Sequence, residues 1–342
     1  MENIKTVLVT GGTGFLGGHT IVRLLQKGYK VRTTIRSMHK KNAVIGMLKN
    51  GGITSFGNLE FIEADLTRDD NWAEAVKGCA YVLHLASPFP TGEPKDENEL
   101  IIPAKEGTLR VLQAAKDAGV KRVVMTSSFG AIGYSIDPKN HIFSEEDWTD
   151  TAVKNTAYIK SKTFAELAAW DFIKNNGDSL ELTVINPVGM FGPVLSNDFS
   201  SSIQMIAKLI TGKMPATPKL SFGIVDVRDV AELHIKAMTN PMAKGQRFLA
   251  YSATTTLPEI AKLLHSQQTK FSKNVPTKVL PDWIVKILAY FIPELKQVAS
   301  QLGKLKTISN KKSKNILHWN PISYKNTILQ TAESLTKFAI IN

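Results

Sequence analysis

Thr6-Val7-Leu8-Val9-Thr10-Gly11-Gly12-Thr13-Gly14-Phe15-Leu16-Gly17 decides how the rest of the chain is read. Thr6 to Val9 is a short apolar, β-branched run of the kind that forms a buried strand. Phe15 to Lys27 then carries apolar residues at helical spacing, at Leu16, Ile21, Leu24 and Leu25. The glycines between them read as Gly12-x-Gly14-x-x-Gly17 or as Gly11-x-x-Gly14-x-x-Gly17. An ordinary glycine turn needs neither the strand before nor the helix after. Glycines here let the backbone turn tightly and approach a pyrophosphate, whose charge is met by free amides at the helix N-terminus. Gly11, Thr13, Gly14 and Gly17 are therefore candidate ligand contacts.

The pattern repeats outward from that stretch. Lys30 to Ile35, Leu59 to Ile62, Tyr81 to Leu85, Arg122 to Met125 and Leu182 to Ile185 read as further strands. Helices are expected around Glu99 to Ala118 and from about Thr156 to Asn175. Alternation of this kind predicts an α/β protein with a doubly wound parallel sheet of the Rossmann type, whose ligands sit at the carboxyl ends of the strands. After Pro187 the alternation breaks, and Gly and Pro recur at Pro193, Gly212, Pro215 and Pro218. Asp226 is a plausible N-cap for a helix that follows it. The expected division is a dinucleotide-binding domain over 1–187 plus about 225–243. A smaller, discontinuous substrate-binding lobe takes about 188–224 plus 244–342.

The chain has 342 residues, 43% of them apolar and 21% charged, which suits a folded protein with a full core. A single cysteine, Cys79, excludes an internal disulfide framework and multi-cysteine zinc sites. Cys79 reads as a small buried filler, and metal ligands at usable spacing are absent. Met1 to Lys5 lacks the layout of a secretory signal, and the oily stretch Ile287 to Ile292 is too short to span a bilayer. The expectation is a cytoplasmic protein with no membrane partner, either monomer or homodimer. Lys and Arg outnumber Asp and Glu by 42 to 30. Lys304, Lys306, Lys311, Lys312 and Lys314 form a run without interleaved aromatics, read as a solvated face rather than a nucleic-acid site.

A second basic concentration bears on the ligand. From Gly18 to Leu59 there is no acid, while Arg32, Arg36, Lys40 and Lys41 cluster in the middle. A site for NAD offers a carboxylate to the adenosine ribose about 20 residues past the glycines. That count lands on Ile35 and Arg36. Arg36, with Lys40 a turn later, would instead neutralise a 2′-phosphate, so the expected cofactor is NADPH. Asp65, after the third strand, suits the adenine amino group or a local cap near Thr67.

Tyr158-Ile159-Lys160-Ser161-Lys162 falls in a helical stretch, where a spacing of four puts Tyr158 and Lys162 on one face. A nearby ammonium and an oxidised nicotinamide would lower the phenol's pKa from its free value near ~10. Thr126-Ser127-Ser128 lies at the carboxyl end of the fifth strand, where a hydroxyl can hold a carbonyl oxygen beside the tyrosine. The two serines are adjacent, and Ser127 rivals Ser128 for that role.

Together, Thr10 to Gly17, Thr126-Ser127-Ser128 and Tyr158 to Lys162 resemble the extended short-chain dehydrogenase/reductase superfamily. Within it, Val31 to Arg36, His84 to Pro88, Asn186-Pro187-Val188 with Phe191-Gly192-Pro193, and Val225 to Ala231 resemble the dihydroflavonol 4-reductase-like branch, which includes cinnamoyl-CoA and aldehyde reductases. The likeness runs from residue 4 to about 250. It implies that Ser128, Tyr158 and Lys162 form a catalytic triad for NADPH-dependent carbonyl reduction, with Lys162 also binding the nicotinamide ribose. It further implies that Phe15, Leu16, Arg36, Lys40, Asp65, Leu66, Ala86, Pro187, Val188 and Ser202 line the cofactor. A nucleotide-sugar epimerase or dehydratase keeps NAD and an acid after the second strand, which is missing here. A non-catalytic NADPH-sensing regulator tends to lose the Tyr-Lys pair. The expected substrate is a small aldehyde or ketone. Phe89, Phe129, Met190, Phe191 and Met205 are candidate pocket residues that could equally be core, and His84 reads as structural.

Overall fold

A computed structural model describes residues 4–88, 92, 94–269, 271–291, 298–299 and 301–338. Its main sheet has seven parallel strands. The first five are β1 (Thr6–Thr10), β2 (Lys30–Ile35), β3 (Leu59–Glu63), β4 (Tyr81–His84) and β5 (Arg122–Thr126). Glu181–Pro187 and Gln246–Ala250 complete it. From edge to edge the order is Gln246–Ala250, Glu181–Pro187, β5, β4, β1, β2, β3. Strand order reverses between β1 and β4, the position at whose carboxyl ends doubly wound sheets bind ligands.

Alternation along each strand divides the core between two faces. Val7 and Val9 of β1 join α1 (Phe15–Gln26), α2 (Lys41–Asn50) and the helix Val227–Thr239 on one side. Leu8 points to the other side, toward α3 (Trp72–Val76), α4 (Asn98–Asp117) and α5 (Ala157–Asn176). Asp226 caps Val227–Thr239 by accepting from the Arg228 amide at 2.9 Å.

A second core belongs to the smaller lobe. It gathers Phe191, Ile203, Ile206, Ile260 and Leu264 beneath a three-stranded sheet of Gly189–Phe191, Ser221–Asp226 and Ala253–Thr256. The C-terminal helix Tyr324–Lys337 packs there through Ile328, Ala332 and Leu335.

The boundary differs from the expected one at 244–250. Gln246–Ala250 is the edge strand of the main sheet, in parallel register with Thr183 to Pro187. The helix Lys311–Leu317 also belongs with that sheet, and Trp319 is buried beside it with its indole nitrogen donating to the Asp229 carbonyl at 2.9 Å. Arg247 explains why this strand does not read as one: a charge interrupts its apolar run, and that charge is neutralised only in three dimensions. Among the described residues no helix is long and apolar enough to cross a membrane.

Candidate active site

The glycine loop is held by the ends of β1, β2 and β4. Thr10 Oγ1 accepts from the amides of Leu85 and Ala86, both at 3.0 Å, and pairs with His84 Nδ1 at 2.9 Å. This makes His84 structural, and its burial lowers its pKa to about 3. Gly11 turns with a φ of +76°, and a Cβ there would lie 3.0 Å from the Ala86 Cα. At Gly17 a Cβ would lie 2.2 Å from the Gly11 oxygen, so both glycines answer to the protein's own packing.

Gly14 is different. Its backbone is extended, and its Cβ would meet only the Gly11 oxygen, at 3.4 Å. Neither φ nor protein contact demands a glycine here, and the space in front of it is open. Gly14 is also the N-cap of α1, where no side chain caps the first amides and no acid occupies the first turn. Free donors, a positive dipole end and an open cradle fit a pyrophosphate. Thr13 and Gly14 are exposed, Phe15 is half-buried, and Leu16 is buried beneath the helix start.

Arg36 follows β2 on the exposed rim and forms no salt bridge among the described residues. Its turn is set by Glu63, whose carboxylate accepts from the Met38 amide at 2.9 Å, and by Ser37, which caps the short turn Met38–Lys40. Lys40 is exposed on that turn. Arg32 does not join this group: it pairs with Glu60 and donates to the carbonyls of Glu74, Ala75 and Lys77. Cys79 is buried beside it. Asp65 accepts from the Thr67 amide at 2.9 Å and from its hydroxyl at 2.8 Å, the local cap that its position allows. The Thr67 amide, helped by the charge of Arg36, holds its carboxyl below the ordinary range. Leu66 packs closely over Gly107 of α4.

At the end of β5 the two serines separate. Ser127 is buried, and its hydroxyl has no partner among the described residues. Ser128 caps the short turn Phe129–Ala131 by accepting from the Gly130 amide at 2.9 Å, and its side chain hydrogen-bonds Tyr158. Tyr158 stands in the first turn of α5, which Thr156 caps. Lys162 is buried one turn on, with Nζ 5.7 Å from the centre of the Tyr158 ring. Burial raises the Tyr158 pKa, with the Ser128 hydrogen bond opposing it, and lowers Lys162 to about 8. The expected depression of the phenol is therefore not what the protein groups produce here. Desolvation outweighs the Ser128 hydrogen bond and keeps the proton on Tyr158, the form a proton donor needs.

The expected residues fall on one edge of the sheet. Gly11 to Gly17 follow β1, Arg36 and Lys40 follow β2, Asp65 and Leu66 follow β3, and Ala86 follows β4. Ser128 follows β5, and Pro187 and Val188 close the strand Glu181–Pro187. Ser202 lies apart on the lobe helix Ser201–Ile210, where its hydroxyl is engaged by the Met190 carbonyl and by Ser200. Among the pocket candidates, Phe129 and Phe191 are core residues, Met190 and Met205 are half-buried, and Phe89 lies outside the described residues. An open groove of about 910 Å³ beside α3 and α4 includes none of the site residues.

A buried polar chain behind the serines has no counterpart in the sequence reading. Asn186 donates to the Ser128 carbonyl at 3.2 Å and to Glu166 Oε2 at 2.8 Å. Glu166 Oε1 accepts from Arg247 Nε at 2.6 Å, and the guanidinium lies 3.7 Å over the Trp148 ring. Asn186 stands inside the Asn-Pro-Val stretch, the one signal that could have pointed to it.

Comparison with known proteins agrees with this architecture. The family described as "NAD dependent epimerase/dehydratase family" matches residues 7–250. The chain belongs to that family. It is 35% identical over 289 residues to an anthocyanidin reductase of Vitis vinifera, covering 80% of this chain and 83% of the other. It is 38% identical over 251 residues to a cinnamoyl-CoA reductase of Medicago truncatula, covering 72% and 76%. These relatives lie in the dihydroflavonol-reductase-like branch that the sequence motifs resemble. Among solved structures, the yeast methylglyoxal/isovaleraldehyde reductase Gre2 complexed with NADPH aligns with a TM-score of 0.82 and 29% identity, over 98% of this chain and 99% of that one.

Proposed function

We propose that this protein reduces small aldehydes and ketones to alcohols with NADPH, through Ser128, Tyr158 and Lys162. The observation that carries this reading is the hydrogen-bonded Ser128–Tyr158 pair, with Lys162 one turn below, at the same sheet edge as the open cradle of Gly14. Arg36 and Lys40 favour NADPH over NADH: both are exposed, and Arg36 offers a planar fork of donors for a 2′-phosphate. The relatives' names agree, since a reductase complexed with NADPH aligns over nearly the whole chain.

When bound, the cofactor supplies hydride at its nicotinamide ring. Ser128 and Tyr158 hold the substrate's carbonyl oxygen through hydroxyl hydrogen bonds that strengthen as negative charge develops. Tyr158, kept protonated by its desolvated setting, gives its proton to that oxygen. Lys162 lies beside the ring of Tyr158, where its positive charge stabilises the phenolate that remains. The family name admits epimerases, but the position that would carry their ribose-binding acid is Arg36.

The test follows absorbance loss of NADPH and of NADH across aromatic aldehydes, diketones, keto esters and a dihydroflavonol. The expected result is turnover with NADPH, abolished in Tyr158→Phe while NADPH still binds. Near-normal turnover in that variant removes Tyr158 from the acid role.

A further inference from the structure

The lysine run near the C-terminus is not uniformly a solvated face. Lys304 and Lys314 are exposed, but Lys306 folds inward, half-buried. Its ammonium lies 3.7 Å from the centre of the Tyr134 ring and 5.7 Å from that of Phe129. The backbone is tied on both sides: the Lys306 carbonyl accepts from Thr254 Oγ1 at 3.0 Å, and Thr307–Ile308 pairs with Ile142–Phe143. Lys306 is therefore held in place from two parts of the fold.

The two rings it covers adjoin the catalytic candidates in the chain and in space: Phe129 is a core residue and Tyr134 is half-buried. Phe129 directly follows Ser128, and Phe129 and Tyr134 meet edge to face at 6.0 Å. Tyr134 is close enough to Tyr158 for the two phenols to interact electrostatically. None of the ion pairs among the described residues includes Lys306. Burial brings its pKa down to about 8, and the neighbouring charge of Lys304 adds to the same effect. A desolvated cation without a carboxylate partner is costly to keep, and such groups concentrate where a ligand supplies the counter-charge.

We propose that Lys306 is a specificity-determining residue that reads a carboxylate on the substrate, so that the preferred carbonyl compounds are oxo acids or carboxylated aldehydes. A single half-buried ammonium matches a monoanion, and the half-buried Tyr134 beside it offers some apolar surface. This rests on the reductase reading above and assigns its substrate class.

The experiment compares kcat/KM, with NADPH, for phenylglyoxylate and 4-carboxybenzaldehyde, each against its methyl ester. In the unmodified protein the acid-to-ester ratio of at least one pair is expected to exceed unity. In Lys306→Met, which keeps the apolar stem, that ratio falls about tenfold or more, the worth of one charge-assisted hydrogen bond. Lys306→Arg retains most of it. Melting curves of both variants establish that they are folded. An acid-to-ester ratio unchanged in Lys306→Met, with both compounds reduced, overturns the carboxylate assignment and leaves the reductase reading intact. Absence of turnover with every acid and ester overturns the carboxylate assignment; the reductase reading falls with it only if the diketones and the dihydroflavonol are also left unreduced.

Discussion

Replacing Glu166 by glutamine tests whether the site is built from behind. Glu166 is fully buried, and three donors converge on its carboxylate: Arg247 Nε at 2.6 Å, Asn186 Nδ2 at 2.8 Å and Trp170 Nε1 at 3.3 Å. Glu166→Gln keeps the shape but removes the charge, and it turns one acceptor into a donor that faces other donors. Arg247 is then left as a buried cation whose remaining partners are the carbonyls of Glu145 and Asp147 and the face of Trp148. Breaking a buried pair from one side costs about 3–5 kcal/mol. Unfolding entropy near the midpoint is about 2.1 cal/mol/K per residue, hence about 0.7 kcal/mol/K for the 342 residues, so the midpoint should fall by about 4–7 °C. Scanning calorimetry at pH 7 reads that number. Kinetics separate positioning from plain destabilisation: Asn186 also holds the Ser128 carbonyl, so kcat should fall below the melting range while the KM for NADPH stays put. Removing both charges, in Glu166→Leu with Arg247→Met, should recover part of the loss, because no unpaired ion remains. A midpoint within about 1 °C of the unmodified protein, or a double variant as poor as the sum of the singles, refutes this reasoning.

Gly14→Ala should weaken NADPH binding at least tenfold in a fluorescence titration, whereas Gly17→Ala should lower the melting temperature more than Gly14→Ala does. The contrast follows from the added Cβ, which meets only an oxygen at 3.4 Å in one case and lies 2.2 Å from the Gly11 oxygen in the other, an overpacking worth about 1–3 kcal/mol. Stability should also fall in mild acid. Burial holds His19 and His234 at about 4 and His84 at about 3 in the folded chain, below the ordinary histidine value near ~6.5. The unfolded chain therefore takes up protons first, and stability that is complete above ~6.5 is lost as the pH drops toward 4, by roughly 3 kcal/mol for each of the two histidines near 4. Asp229, raised to about 6 by burial, and Glu145, also raised by burial, oppose this but are two groups against three. Melting temperatures that do not change between pH 7 and pH 4.5 would contradict this balance.

What could be read from the chain follows from which interactions are local. The strands of the first half are runs of Val, Leu and Ile, and the sheet rule then places Ser128, Arg36 and Gly14 on one edge without knowledge of any contact. Two features resist that logic. The choice between Ser127 and Ser128 depends on which hydroxyl meets Tyr158, and on Asn186 gripping the Ser128 carbonyl from a different strand. Arg247 and Lys306 look like solvent-facing charges because their partners, Glu166 and the Phe129–Tyr134 pair, are distant in sequence. These two charges share one physical origin. A charge is assigned to the surface by default because burying it costs energy, and the compensation that reverses the assignment is tertiary. Where a carboxylate supplies the counter-charge, as Glu166 does for Arg247 alongside two carbonyls and Trp148, the charge supports the structure. Where only aromatic rings compensate, as for Lys306 over Tyr134 and Phe129, the counter-charge is the one proposed above for the substrate.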